Sequence, residues 1–97
     1  MDRLNYHHLR YFREVAHTGN LTRTAELVNL SQSALSTQIR QLEDRLGHKL
    51  FERKGRALEL TEVGRITLDY ADRIFGTGEE LVATLDRSGV QNPPLRV

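Results

Sequence analysis

Residues 31–47 read Ser31-Gln32-Ser33-Ala34-Leu35-Ser36-Thr37-Gln38-Ile39-Arg40-Gln41-Leu42-Glu43-Asp44-Arg45-Leu46-Gly47, and their spacing decides the fold. Leu35, Ile39, Leu42 and Leu46 stand at i, i+4, i+7 and i+11, one apolar stripe on a helix. Ser31 is suited to cap its start, and Gly47 to end it in a left-handed conformation. With the stripe turned inward, Ser33, Thr37, Arg40 and Asp44 face outward, flanked by Ser36 and Gln41. The first acids, Glu43 and Asp44, come about three turns in. By default the outer face of an amphipathic helix is only solvated, so its meaning depends on what flanks it.

On the N-terminal side a short helix is expected from Thr22 to Val28, capped by Asn20 or Thr22, with Leu21, Ala25 and Val28 apolar. Only Val28-Asn29-Leu30 separates it from the longer helix. Two helices joined by so short a turn are the helix-turn-helix layout, whose second helix enters a DNA major groove N-terminal end first. Serine, threonine, glutamine and arginine near that end can reach base edges and phosphates without desolvating a carboxylate. Gln32 and Gln38 carry amides that suit adenine if they face the groove. A preceding helix from Asn5 to Thr18 carries Leu9, Phe12 and Ala16 at helical spacing, and Gly19 follows it.

On the C-terminal side the period changes. Lys49–Arg53 and Ala57–Leu60 read as two strands around the turn Lys54-Gly55-Arg56, with Leu58 and Leu60 inward and Glu59 outward. A hairpin this small must pack on the helices to be stable. Its Lys49, Arg53, Lys54 and Arg56 against Glu52 make a local excess of positive charge, as a wing beside a helix-turn-helix would have. Residues 1–60 hold ten Lys/Arg against seven Asp/Glu, net +3, and residues 61–97 four against six, net −2. The whole chain of 97 residues is therefore almost neutral at +1, while its basic charge is concentrated in the first part.

Thr61 is placed to cap a final helix running to Arg87, with Glu62 at its positive end. Such a helix is about 40 Å long at about 1.5 Å per residue, too long for the preceding residues to cover. Leu68, Ala71, Phe75, Gly78, Val82 and Leu85 alternate in steps of three and four, an a/d seam suited to a partner helix. Ile66, Tyr70, Ile74 and Leu81 form a neighbouring stripe assigned to the body. Two stripes on so long a helix predict a homodimer that presents two reading helices to two half-sites. Ser88 to Pro94 reads as a hinge.

Other chemistries find little support. The absence of cysteine excludes disulfide scaffolds, thiolate zinc sites and thiol nucleophiles. His7, His8, His17 and His48 form no HxxxH pair, so no metal is expected. Neither a Gly-rich phosphate loop nor GxSxG occurs, and neither enzyme activity nor a cofactor is predicted. No apolar run approaches the roughly 18 residues of a membrane span, and the start lacks a signal-peptide core. A cytoplasmic protein without membrane contact is expected.

Taken in order, Leu9-Arg10-Tyr11-Phe12, Gly19-Asn20-Leu21-Thr22-Arg23-Thr24-Ala25, Leu30-Ser31-Gln32-Ser33-Ala34-Leu35-Ser36-Thr37-Gln38-Ile39, Leu42-Glu43-Asp44-Arg45-Leu46-Gly47, Leu50-Phe51-Glu52-Arg53 and Leu60-Thr61-Glu62-Val63-Gly64 resemble the N-terminal domain of LysR-type transcriptional regulators. Asn5-Tyr6-His7-His8-Leu9, Arg53-Lys54-Gly55-Arg56 and Tyr70-Ala71-Asp72 are similar to the branch that includes regulators of a sodium/proton antiporter gene. The resemblance implies a mainly α fold: a winged helix-turn-helix of three helices and a two-stranded wing, then a long linker and dimerisation helix that pairs antiparallel with its twin. It implies that Gln32, Ser33, Ser36 and Thr37 meet the major groove of a double-stranded operator. Thr22, Arg23, Ser31 and Arg40 would touch the DNA backbone, and Arg53 and Arg56 would serve the wing. Many relatives carry arginine where Thr37 stands, and threonine cannot make the bidentate contact to guanine.

The expected divisions are 1–60 for the winged domain, 61–87 for the linker helix and 88–97 for a hinge and the start of an effector-binding domain. Relatives carry that domain, and through it a small-molecule effector and assembly up to a tetramer. Two rival readings are a winged helix that docks on protein, which predicts an acidic or apolar reading face, and a small enzyme, which predicts converging titratable groups in a pocket.

Overall fold

The computed structural model describes residues 4–55 and 57–89. Helix α1 spans Tyr6–Thr18, α2 Leu21–Val28 and α3 Gln32–Leu46; strands β1 Phe51–Lys54 and β2 Ala57–Leu60 follow, and α4 spans Glu62–Ser88. Each helix begins on a side-chain cap. Asn5 Oδ1 accepts from the His7 and His8 amides, Asn20 from Arg23, Ser31 from Ala34 and Thr61 from Gly64. Of the two caps considered for α2 the structure uses Asn20, which leaves Thr22 in the first turn.

The turn between α2 and α3 rests on Asn29, the one non-glycine residue at positive φ among those described (φ 64°). Asparagine tolerates this left-handed geometry. The Leu30 amide then reaches back to the Ala25 carbonyl at 2.9 Å, closing α2 and starting α3.

Phe12, Val15, Leu35, Leu42 and Leu50 are fully buried where the helices and the wing meet. Phe51 places its ring 5.3 Å from Phe12, which ties β1 to α1. The strands pair antiparallel, with Phe51 opposite Leu60 and Arg53 opposite Leu58. Period-two alternation puts all four on one face, and Phe51, Leu58 and Leu60 are part-buried there. The first strand begins at Phe51, not at the expected Lys49. The backbone before it is engaged elsewhere: Thr61 Oγ1 donates to the Lys49 carbonyl at 2.7 Å, the Thr61 amide donates to the Leu50 carbonyl at 3.0 Å, and the Leu50 amide donates to Glu43 at 2.8 Å.

Helix α4 corrects one assignment. Ala71 is fully buried, and Leu68 and Phe75 pack against the core, so these residues of the expected seam face the body of their own chain. The stripe assigned to the body faces outward: Ile66, Tyr70, Ile74 and Leu81 are all exposed. The physical reason is close approach. Gly64 is buried at the start of the inner face, and a β-carbon there would lie 2.1 Å from the Leu50 carbonyl oxygen. Small residues at 64 and 71 let α4 lie against the body; isoleucine and tyrosine would hold it off. From Thr77 to Gly89 every residue is exposed, including Gly78, Val82 and Leu85. Ser88, read as the first hinge residue, is the last of α4. The rest of that hinge and the expected strand at 94–97 lie outside the described residues.

Candidate nucleic-acid interface

Capping by Ser31 fixes where α3 begins, and burial of Leu35, Ile39 and Leu42 fixes which way it turns. Gln32, Ser33, Ser36, Thr37 and Arg40 consequently line one shallow depression on its outer side. All are exposed except Ser36, which is half-buried. No carboxylate interrupts the helix from Gln32 to Arg40.

Local hydrogen bonds shape this face. Thr22 Oγ1 donates to Gln32 Oε1 at 3.2 Å, joining α2 to the start of α3. Thr37 Oγ1 donates to the Ser33 carbonyl at 2.9 Å. Ser31 Oγ accepts from the Ala34 amide and lies 3.3 Å from Ser33 Oγ. Ser31 is thus first a helix cap, whatever it also touches. Thr22 and Arg23 line an adjoining depression on α2 with Asn20, Glu26 and Leu27.

The wing continues the surface. A cleft between α3 and the hairpin is lined by the basic Arg40, Lys49 and Arg53, the acidic Glu43 and Glu52, and Ser36, with Ile39, Phe51 and Leu58 among its apolar residues. Arg53 stands on the same strand face as Phe51 and lines the cleft together with Arg40. Arg56, the other wing residue expected, lies outside the described residues. Ser36 and Arg40 border both the depression on α3 and the cleft that Arg53 lines, and the Thr22–Gln32 bond joins α3 to the depression on α2 that Arg23 lines.

Two functional supports were not read from the sequence. By sequence Glu43 is only one of the first two acidic residues of its helix. Its Oε2 accepts from the Leu50 and Phe51 amides at 2.8 and 3.4 Å, with Lys49 Nζ 3.9 Å from Oε1. It anchors the wing to the reading helix, and no local sequence signal marks a bond across seven residues. Asp72, which the sequence offers only within the Tyr70-Ala71-Asp72 resemblance, is the second. Its Oδ1 accepts from Arg13 Nε and lies 2.7 Å from His17 Nε2, joining α4 to α1. Desolvation pushes the Asp72 carboxyl up, but the hydrogen bonds from His17 and Arg13 and their charges outweigh it and hold it below the ordinary carboxylate value.

Residues 6–65 match the family described as bacterial regulatory helix-turn-helix protein, lysR family. The chain belongs to the LysR family. It is 43% identical over 82 residues to the transcriptional activator protein NhaR of Escherichia coli K12, covering 84% of this chain and 27% of that protein. It is 43% identical over 90 residues to the RuBisCO operon transcriptional regulator of Allochromatium vinosum, covering 92% and 30%. Its fold matches the BenM DNA-binding domain in complex with benA site 1 DNA, with TM-score 0.81 and 30% identity, covering 92% of this chain and 100% of that one. It also matches the CbnR DNA-binding domain in complex with DNA, with TM-score 0.76 and 31% identity, covering 90% and 100%. This LysR-family chain spans less than a third of the length of the curated relatives it matches.

Proposed function

We propose that this chain reads double-stranded operator DNA for a bacterial LysR-type transcriptional regulator, as a homodimer on an interrupted dyad. The observation that carries the reading is the carboxylate-free outer face of α3 from Gln32 to Arg40, beside a cleft that Arg53 of the wing lines. Gln32, Ser33, Ser36 and Thr37 read base edges in the major groove. Arg23 and Arg40 hold phosphates, with Ser31 and Thr22 beside them. Arg53 and Arg56 meet phosphates or the minor groove. This division follows the chemistry, since short polar groups and amides discriminate bases whereas guanidinium groups on the rim supply sequence-independent attraction.

Binding, not turnover, is the activity, and the chain acts in the bacterial cytoplasm without a cofactor. Among the described residues no helix is long and apolar enough to cross a membrane. In the longer regulator an effector would act through a C-terminal domain, and dimers could join as a tetramer. A protein-docking winged helix would need an acidic or apolar reading face, and this one is neither.

Selection and sequencing of random duplexes bound by the purified chain at near-physiological salt tests the proposal. Enrichment of an interrupted dyad is expected. Affinity for that site should fall with salt at a log–log slope of about −0.9 per neutralised phosphate. Failure to enrich any sequence, together with no salt-sensitive affinity for duplex DNA, would sink it.

A further inference from the structure

The Thr22–Gln32 bond links the two helices of the motif on their outward faces, both residues being exposed. Among the described residues, Thr22 is the one side chain outside α3 and its cap that is hydrogen-bonded to a side chain of the reading face. A glutamine amide has an accepting and a donating side, and its last torsion is a broad, roughly two-fold rotor. Left free, the exposed side chain would carry the amide among several rotamers. A hydroxyl has a single proton, and here Thr22 gives it to Oε1. That bond holds the end of the Gln32 side chain beside α2. It leaves the second lone pair of Oε1 and both N–H groups of Nε2 for a ligand.

We propose that Thr22 is a positioning residue for sequence readout, holding the Gln32 amide at the place from which it reads adenine. An acceptor and a donor held side by side complement adenine N6–H and N7 in the major groove. The proposal rests on the DNA-reading function above. It also revises the role that the family resemblance gives Thr22. With its one proton committed to Gln32, the hydroxyl can offer a phosphate only lone pairs, which a phosphate does not accept. The loss of this hydroxyl should therefore change which base is preferred, not weaken all duplexes alike.

The test repeats the random-duplex selection at one salt concentration with the wild-type chain, T22V, T22A, T22S and Q32A. T22V keeps the side-chain shape and removes the hydroxyl, T22A checks that the β-branch is not responsible, and T22S restores the donor. T22V and T22A should flatten one adenine position in each half-site by about 5–10-fold. Q32A should flatten the same position, T22S should restore it, and T22V combined with Q32A should lose nothing further there. A T22V profile identical to wild type overturns the proposal, as does an even loss of affinity across all sequences or a flattened position that is not adenine. A wild-type chain that selects no sequence overturns both this proposal and the DNA-reading function; a wild-type motif left intact by T22V overturns this one alone.

Discussion

Thr37 shows how a single hydroxyl sets what a reading face can offer. Its proton goes to the Ser33 carbonyl one turn back, so a methyl group and a lone pair remain for the groove. The arginine that the family resemblance places here would seek guanine; this threonine suits the thymine methyl. Thr37→Val should keep the selected motif within about twofold, whereas Thr37→Ser should lose several-fold preference at one thymine. Selection profiles of the two variants check this, and the reverse ranking would remove the methyl role. Gly64 constrains the molecule more severely. A β-carbon there would collide with the Leu50 backbone, which cannot swing aside as a side chain could. Gly64→Ala should cost about 1–3 kcal/mol, lowering Tm by roughly 5–20 °C in a calorimetric scan. An unchanged Tm would mean that α4 need not approach Leu50 so closely. Both residues were visible in the sequence, but not their constraints. The helical stripe placed Thr37 on the outside, whereas its bond to Ser33 and the collision at Gly64 depend on rotamer and tertiary approach.

Among the elements, the three body helices and the hairpin were legible because their caps, turn residues and apolar stripes agree with one another. Leu35, Ile39 and Leu42 turned inward as their spacing required. Helix α4 was legible in length and start but not in facing. Two apolar stripes on one helix have the same period, and periodicity cannot say which is inside. The small residues Gly64 and Ala71, seven apart, were the available signal. The α1 helix carries a buried titratable group that sequence spacing could not assign. His8 is 7% exposed, and its Nδ1 has no partner. Burial, with the charges of Arg45 and His7, pushes its pKa below the ordinary 6.5. Below pH 6.5 the unfolded chain therefore takes up a proton that the folded chain resists, and folding stability falls as pH drops from 6.5 toward the folded-state pKa. Asp72 contributes in a separate window, because its lowered pKa gives stability that is present above the usual carboxylate range and lost as pH falls through it. Urea unfolding between pH 7.5 and 5 should show wild-type stability declining more steeply than that of His8→Leu. Parallel curves would mean that His8 titrates alike in both states.

The described residues span 52 × 28 × 21 Å, a body at one end with the far half of α4 projecting from it. Over that half every residue from Thr77 to Gly89 is exposed, although Leu81, Val82 and Leu85 are apolar. Ile66, Tyr70, Ile74, Leu81 and Leu85 fall within about 100° of helical arc at 100° per residue, a stripe wide enough to seat a second helix. Exposed apolar surface on this scale has a cost in water, and in the proposed homodimer a second copy of the same helix would cover it with twofold symmetry. The dimer contact is thus expected on this outer stripe, joined by Val82 and Leu85 beyond the body, instead of on Leu68, Ala71 and Phe75. Two substitutions at adjacent positions separate these faces. Ile74→Asp puts a charge on the outer stripe and should give a folded monomer in sedimentation velocity, with the Tm of the body nearly kept. Its DNA affinity should fall at least tenfold, because each half-site is then bound without its twin. Phe75→Asp puts the charge on the inner face, where Arg13 lies 5.7 Å over the Phe75 ring and Ala71 is sealed against the body. Its effect should appear first as lost stability, by about 2 kcal/mol or more for a carboxylate forced against a packed face. A folded monomer from Phe75→Asp and an intact dimer from Ile74→Asp would return the seam to the inner face, and would require α4 to leave its own body before it meets its twin.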